Sequence, residues 1–297
     1  MRIATAPVSW GIWEMTIDRP DLIPPQTYLD TIVDMGYTAT ETGPPGYFAP
    51  SAAEAADRAG RAGVELVATF LPLRLDDPDG FEEDLAALDR TVEVLEATGG
   101  GIVLLADMET PDRSRAAGSE ARRRETGWTG DTVELAAERL QRATDIVRGR
   151  GLEAALHPHA ATHIESESET DQILERTDIG LCVDTGHTIV GGGDPVALAR
   201  RHASRLRHVH LKDVDGALLG RLAGGEVDMD EAWPLGIFCE FGAGVVPLRD
   251  FLALPEVRSL DGYGVIEQDR VAVTVDDMPV VRASDERNRA LVDQWLA

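Results

Sequence analysis

Short apolar, β-branched runs recur along the chain, each bounded by Gly, Pro or Asp and most followed by a stretch of helical periodicity. They predict strands at 2–8, 37–42, 64–70, 101–106, 153–157, 179–184, 207–212 and 263–267. The segments between them carry helix punctuation. Pro25 opens a helix that Gly36 closes, Ser51 to Glu54 and Asp131 to Glu134 have capping-box form with Gly63 and Gly151 as stops, and Asp194-Pro195 places a cap before a first-turn proline. Strands alternating with helices predict βαβ units and a parallel sheet. Eight such units in 297 residues predict an α/β fold of one (β/α)₈ barrel, a type that takes about 250 residues. No Gly-x-Gly-x-x-Gly follows the first strand, which argues against a dinucleotide-binding sheet and a nucleotide cofactor.

Two connections exceed what a barrel needs. Residues 107–130 and 213–246 are polar, read as loops, and fall on the barrel's C-terminal face. Arg113, Arg115, Arg122, Arg123 and Arg124 of the first are expected to be solvated, the alternative being a basic patch that holds a lid shut or draws in an anion. Residues 284–296 predict a terminal helix on the barrel wall.

Charge narrows the partners. With 53 acidic and 28 basic side chains the net charge is −25, a surface that repels nucleic acid and anionic lipid. A homo-oligomer built on a local apolar patch stays open. Cys182 and Cys239 are too few for a disulfide framework, and Cys182 reads as an inert strand residue. Met1-Arg2 passes straight into a strand-like run, and no apolar run approaches the ~20 residues of a membrane span, so the expected location is the cytoplasm.

The chemistry is concentrated where strands five to eight finish. They end Ala155-Leu-His157-Pro-His159, Cys182-Val-Asp184-Thr-Gly-His187, His208-Val-His210-Leu-Lys212 and Val265-Ile-Glu267-Gln-Asp269, and all seven histidines lie between His157 and His210. In a closed barrel these ends are neighbours, and His157, Asp184, His210 and Glu267 would converge as two imidazoles and two carboxylates. That mixed set suits Mn²⁺, Co²⁺, Fe²⁺ or Zn²⁺ better than Mg²⁺ or Ca²⁺. Singly, each residue also reads as a hydrogen-bonded rim group or turn cap. Four in register make the stronger case, because desolvated charges need a partner.

His208 and His210 are read as facing differently, with His210, nearer the C-terminal end, as the ligand and His208 packed or supporting it from behind. Lys212 is a candidate acid or carbonyl-polarising group, or a rim salt bridge to Asp213 or Asp215. His187 is placed to donate to a substrate oxygen and His159 to orient a ligand. Glu41 ends the second strand and Phe70 the third; Trp10 and Phe70 would wall a sugar ring or belong to the core.

At these residues the chain resembles the xylose-isomerase-like barrel superfamily of sugar isomerases and epimerases, and within it the inosose dehydratase branch. The resemblance spans nearly the whole chain. It rests on Ile3 to Trp10, His157-Pro-His159, Asp184-Thr-Gly-His187, Arg207 to Asp213, Gly236-Ile-Phe238 and Val265 to Asp269. It implies a (β/α)₈ barrel, a divalent metal such as Mn²⁺ or Co²⁺, and a keto-cyclitol or ketose substrate. Asp184, His210 and Glu267 match ligand positions and His187 a substrate-contacting one. His157 stands where epimerase relatives carry a metal-binding glutamate, with Glu165 as the substitute ligand or second base.

Two segments depart from the dehydratase pattern. Cys239 to Gly244 replaces a Pro-Gly-Asp-Gly turn, and Ser9 to Trp13 is less acidic than its counterpart. Both would touch substrate. With one glutamate of the epimerase pair replaced by His157, the resemblance implies elimination, with Glu267, His157, His187 and Lys212 as catalytic candidates. Isomerisation or epimerisation is the first alternative, and a catalytically silent sugar-binding barrel the second. Trp10, Glu41, Phe70, His159, His187 and Lys212 are the expected substrate contacts.

Overall fold

The computed structural model describes residues 1–271 and 273–297. Its strands are β1 (Arg2–Thr5), β2 (Ala39–Thr40), β3 (Glu65–Leu66), β4 (Ala68–Leu73), β5 (Ile102–Asp107), β6 (Glu153–Leu156), β7 (Gly180–Asp184) and β8 (Leu206–Leu211). Then follow β9 (Asp213–Val214), β10 (Phe238–Cys239) and β11 (Tyr263–Ile266). The main sheet runs β3-β2-β1-β11-β8-β7-β6-β5-β4. Its two ends belong to one bent segment. The Val67 amide donates to Thr40 at 3.0 Å, and the Val67 carbonyl accepts from Ile102 at 3.1 Å. That one residue joins both edges and brings the parallel sheet round into a barrel, as predicted. β5 is buried throughout, which is why Ile102-Val-Leu-Leu-Ala carries no polar alternation.

Helix boundaries follow the caps in most places. Ser51 accepts from the Glu54 amide, Gly63 closes that helix at φ 72°, and Asp194 caps the helix Pro195–Arg201. The expected box at Asp131 does not form: the helix Gly130–Gly149 starts earlier, after Thr129, with no side-chain cap. The terminal helix is longer than predicted, Met278–Leu296.

Both long connections are structured, correcting their reading as loops. Residues 107–130 hold helices Pro111–Ala116 and Glu120–Thr126; residues 213–246 hold helices Gly216–Gly224 and Met229–Ala232 and the β9–β10 hairpin. They dock on each other through Arg122 Nη2 to the Leu222 carbonyl at 2.7 Å and the Asp230 amide to Ser114 Oγ at 3.2 Å. The arginines are not uniformly solvated. Arg113 is fully buried, donating to Thr162 O, Arg123 O and Glu169, and Arg123 is buried against Glu165 at 2.9 Å. Buried guanidinium groups persist because every fork of each finds an acceptor. Asp213 organises the second connection, accepting from the amides of Val214, Gly242, Gly244 and Val246. It is therefore not a rim partner for Lys212.

The terminal helix seals the barrel wall with a buried carboxyl, Asp285, which accepts from Tyr37 Oη at 3.1 Å while its second oxygen has no partner. Burial pushes this carboxyl up from 3.8 to about 6. The folded chain thus binds the proton more tightly than the unfolded one. Stability from this group is full below about pH 4 and is lost as pH rises through about 6, by up to about 3 kcal/mol. Asp285→Asn removes the titration. The variant's Tm relative to the parent is expected to improve by several degrees between pH 4.5 and 7.5, and a difference independent of pH would contradict this origin.

Candidate metal and substrate site

The ends of β7, β8 and β11 lie side by side, with Asp184 opposite His210 and His210 opposite Val265, two residues before Glu267. Register therefore gathers the polar ends at one point. His210 Nδ1 lies 3.0 Å from Glu267 Oε2, 3.5 Å from Asp184 Oδ2 and 2.9 Å from His157 Nε2; His157 Nε2 is 3.7 Å from Asp184 Oδ2. All four side chains are buried.

Their orientation is held from behind. Glu41 Oε1 accepts from Nε2 of both His208 and His210 at 2.9 Å. With its Nε2 proton occupied there, His210 turns the lone pair of Nδ1 toward the cluster. Both histidines face inward, correcting the expectation that they diverge: residues two apart on a strand share a face. Burial would raise the Glu41 carboxyl, but His210 and His208 hold it well below the usual carboxylate range. Cys182 is buried on β7 and burial raises its thiol far above neutrality, so it is inert as expected.

Lys212 Nζ lies 3.2 Å from Asp184 Oδ2, 3.1 Å from Glu267 Oε2 and 2.9 Å from Asp269 Oδ2. Burial disfavours its charge, yet these three carboxylates overcome that and keep it an ammonium. Burial likewise opposes ionisation of Asp184 and Glu267. Lys212 and His187 hold Asp184 low, and His210 and Lys212 hold Glu267 low. His187 Nδ1 accepts from the Ala160 amide at 3.2 Å, so its proton sits on Nε2, which lies 3.3 Å from Lys212 Nζ without a hydrogen bond between them because both are donors. Burial keeps it neutral. Gly186 is required beside it: a Cβ there would stand 2.8 Å from Lys212 Cγ.

Over this floor opens a cavity of about 230 Å³ that includes His157, His210, Lys212, Glu267 and Asp269 in its lining. Phe70 packs its ring against His157 and His159, with centroids 5.6 and 5.8 Å apart, and lines the cavity. His159 reaches Glu109 at 3.2 Å and stacks on His187 at 3.8 Å. Glu41 lines the floor, but its near oxygen is taken by the two imidazoles rather than left for a substrate. Trp10 is a correction: it is wholly buried in the core against Tyr28, and Trp13 and Trp233 are the tryptophans at the cavity. Glu165 is another: its oxygens accept from Arg123, Gly118 N and Ala161 N, away from the cluster.

Five residues of the cavity escaped the sequence reading, Trp233 in the second long connection among them. Asp269 shares the strand parity of Glu267 and is signalled by it. Trp13, Glu14 and Glu109 come from loops, where no periodicity marks which side chains turn inward.

The donor set fits a divalent metal. Two imidazole nitrogens meet 2.9 Å apart, so a proton or a cation has to lie between their lone pairs. Burial holds His157 down to about 4, so it is neutral at pH 7, the form that ligates. Buried Asp184 Oδ2 has no aligned hydrogen-bond donor. Ligands at about 2.0–2.2 Å on neighbouring vertices stand about 3 Å apart, the spacing seen from His210 Nδ1 to Glu267 and His157. Asp184, His210 and Glu267 form a compact triad of donors, as do Glu41, His208 and His210, but in the latter both Nε2 atoms are already satisfied.

Known proteins resemble the chain along its length. An inosose dehydratase of Geobacillus kaustophilus is 28% identical over all of this chain and 96% of its own. The rhizopine catabolism protein MocC of Rhizobium meliloti is 30% identical, covering 89% of this chain and 79% of its own. Among solved structures, the probable 3-DHS dehydratase AsbF of Bacillus anthracis superposes with a TM-score of 0.71 at 13% identity, covering 98% of each chain. The IOLI protein with a bound zinc atom superposes at 0.70 and 14% identity, again covering 98% of each. Those two likenesses show the barrel. Residues 29–283 match the family described as xylose isomerase-like TIM barrel, and the chain belongs to that family as one of its enzymes.

Proposed function

We propose that this enzyme is a divalent-metal-dependent dehydratase of a keto-cyclitol such as 2-keto-myo-inositol. The reading rests on one observation above the others: Asp184 Oδ2, His210 Nδ1, Glu267 Oε2 and His157 Nε2 converge at the floor of a ring-sized cavity. The substrate class follows the named dehydratase relative that matches along its whole length.

Asp184, His210, Glu267 and His157 would hold the ion, Mn²⁺ or Co²⁺ by preference, with Fe²⁺ and Zn²⁺ also suited to these donors. When bound it supplies Lewis-acid stabilisation to the negative charge that develops on the ketone oxygen. The chain's own groups do the rest. Glu267, kept ionised beside the Lys212 ammonium, is placed to take the proton α to the ketone, and His157 is the alternative base if it does not ligate the ion. The Lys212 ammonium lines the cavity and assists the β-hydroxyl as it departs, with His187 beside it at 3.3 Å. In balance, a C–H and a neighbouring C–O bond break, a C=C bond forms, and proton and hydroxide leave as water.

Epimerisation would need a second base across the ring. Glu165, the candidate, is held by Arg123 and two amides, which favours elimination. Incubating the metal-loaded enzyme with 2-keto-myo-inositol is expected to produce enone absorbance. Formation of an epimer or isomer without loss of water would contradict the assignment.

A further inference from the structure

The floor of the cavity is balanced by Lys212 and a cation; its mouth is not. Glu14 and Glu109 both line the cavity at the C-terminal face, and Lys212, deep below, is its sole lysine or arginine among the described residues. Glu14 has no ion-pair partner among the described residues, and after burial it is Glu109 that most raises its carboxyl. Glu109 has only His159, at 3.2 Å. A second, independent feature points to a donor on the ligand. Asp269 is buried and lines the same cavity; Lys212 occupies its Oδ2, while its Oδ1 has no hydrogen-bond partner. Trp13 and Trp233 stand beside these carboxylates with ring centroids 5.9 Å apart and tilted by 43°, and Trp13 is anchored by Nε1 to the Val271 carbonyl at 3.1 Å.

We propose that Glu14, Glu109 and Asp269, with the Trp13–Trp233 pair, form a subsite for a protonated amine carried on the substrate ring. The proposal deepens the keto-cyclitol reading and rests on it. An ammonium satisfies the bare acceptor on Asp269, neutralises the two glutamates, and meets aromatic faces that attract cations. A phosphate or carboxylate at the same place would meet two like charges, so phosphorylated and acidic rings are disfavoured.

The test is calorimetric binding to the metal-loaded enzyme at pH 7 of three probes: myo-inositol, an amino-deoxy-inositol and myo-inositol 1-phosphate. The amine is expected to bind at least about tenfold tighter than myo-inositol and the phosphate at least about tenfold weaker. In the double variant Glu14→Gln, Glu109→Gln both ratios to myo-inositol are expected to shrink to within about threefold, with a thermal unfolding curve like the parent's reporting an intact fold. The preference of the parent is also expected to fall with added salt. Equal binding of amine and parent polyol, or a preference that survives in the double variant, overturns the subsite. If that occurs while 2-keto-myo-inositol still loses water, the dehydratase reading stands alone. If the amine preference holds without water loss, the subsite stands and the reaction is wrong. Binding of none of the three overturns the subsite, and if 2-keto-myo-inositol also loses no water both readings fall.

Discussion

His210→Ala is expected to lower kcat/KM for water loss from 2-keto-myo-inositol by about a thousandfold or more, equivalent to about 4 kcal/mol of transition-state stabilisation. His210 meets Glu267, Asp184, His157 and Glu41 within 3.5 Å. Its loss removes a metal donor and unfastens Glu41. Glu41→Gln is the companion measurement. The amide keeps the size of the side chain but gives up the charge that fixes both imidazoles, so metal affinity is expected to fall by about 10–100-fold, with activity recovered at high metal concentration. His210→Ala should show no such recovery. Full activity in His210→Ala, or a loss in Glu41→Gln that added metal does not reverse, would contradict the roles given to the two residues.

Arg123→Met is expected to be the most destabilising change outside the site. Arg123 joins the helix Glu120–Thr126 to Glu165 at 2.9 Å and to the Gly191 carbonyl at 2.9 Å, all buried. Removing the guanidinium leaves Glu165 as a buried carboxylate with only two amide donors, a loss of about 3–5 kcal/mol. That corresponds to a fall in Tm of roughly 10 °C. Glu165→Gln added to Arg123→Met is expected to return part of the loss, because the uncompensated charge goes with it. Strict additivity of the two changes would show that the pair is not coupled.

The barrel and its cluster were legible in the sequence because both depend on short-range pattern. Buried parallel strands read as apolar runs, and ionisable residues mark where they reach the site: β7 ends on Asp184, and His157, Lys212 and Glu267 directly follow β6, β8 and β11. Register among neighbours then brings Asp184 and His210 together without further information. What was not legible depends on long-range contacts. Nothing local distinguishes Arg113, fully buried with partners at Thr162 and Glu169, from exposed Arg124. Trp10 and Trp13 sit three residues apart, and only the packing of Tyr28 against the first and Trp233 against the second sorts core from cavity. Local propensity also left 107–130 as a loop, because its two helices are short and are held by arginines rather than by an apolar face. The inward pair His208 and His210 was available from strand periodicity and was misassigned.

The central claim is that the four-residue cluster binds a divalent metal on which dehydration depends. Metal analysis of the protein as purified, beside Asp184→Ala and followed by chelation, tests it most directly. Asp184 Oδ2 has no aligned hydrogen-bond donor in the cluster, while Oδ1 caps the helix Thr185–Val190 at the His187 amide and Oδ2 also faces Lys212, so a thermal unfolding curve of the variant accompanies its metal count. About one equivalent of divalent ion is expected in the parent and little in the variant, with water loss abolished by chelation and restored by Mn²⁺ or Co²⁺. Dehydration by the chelated, metal-free protein, or full retention of metal by Asp184→Ala, would contradict it.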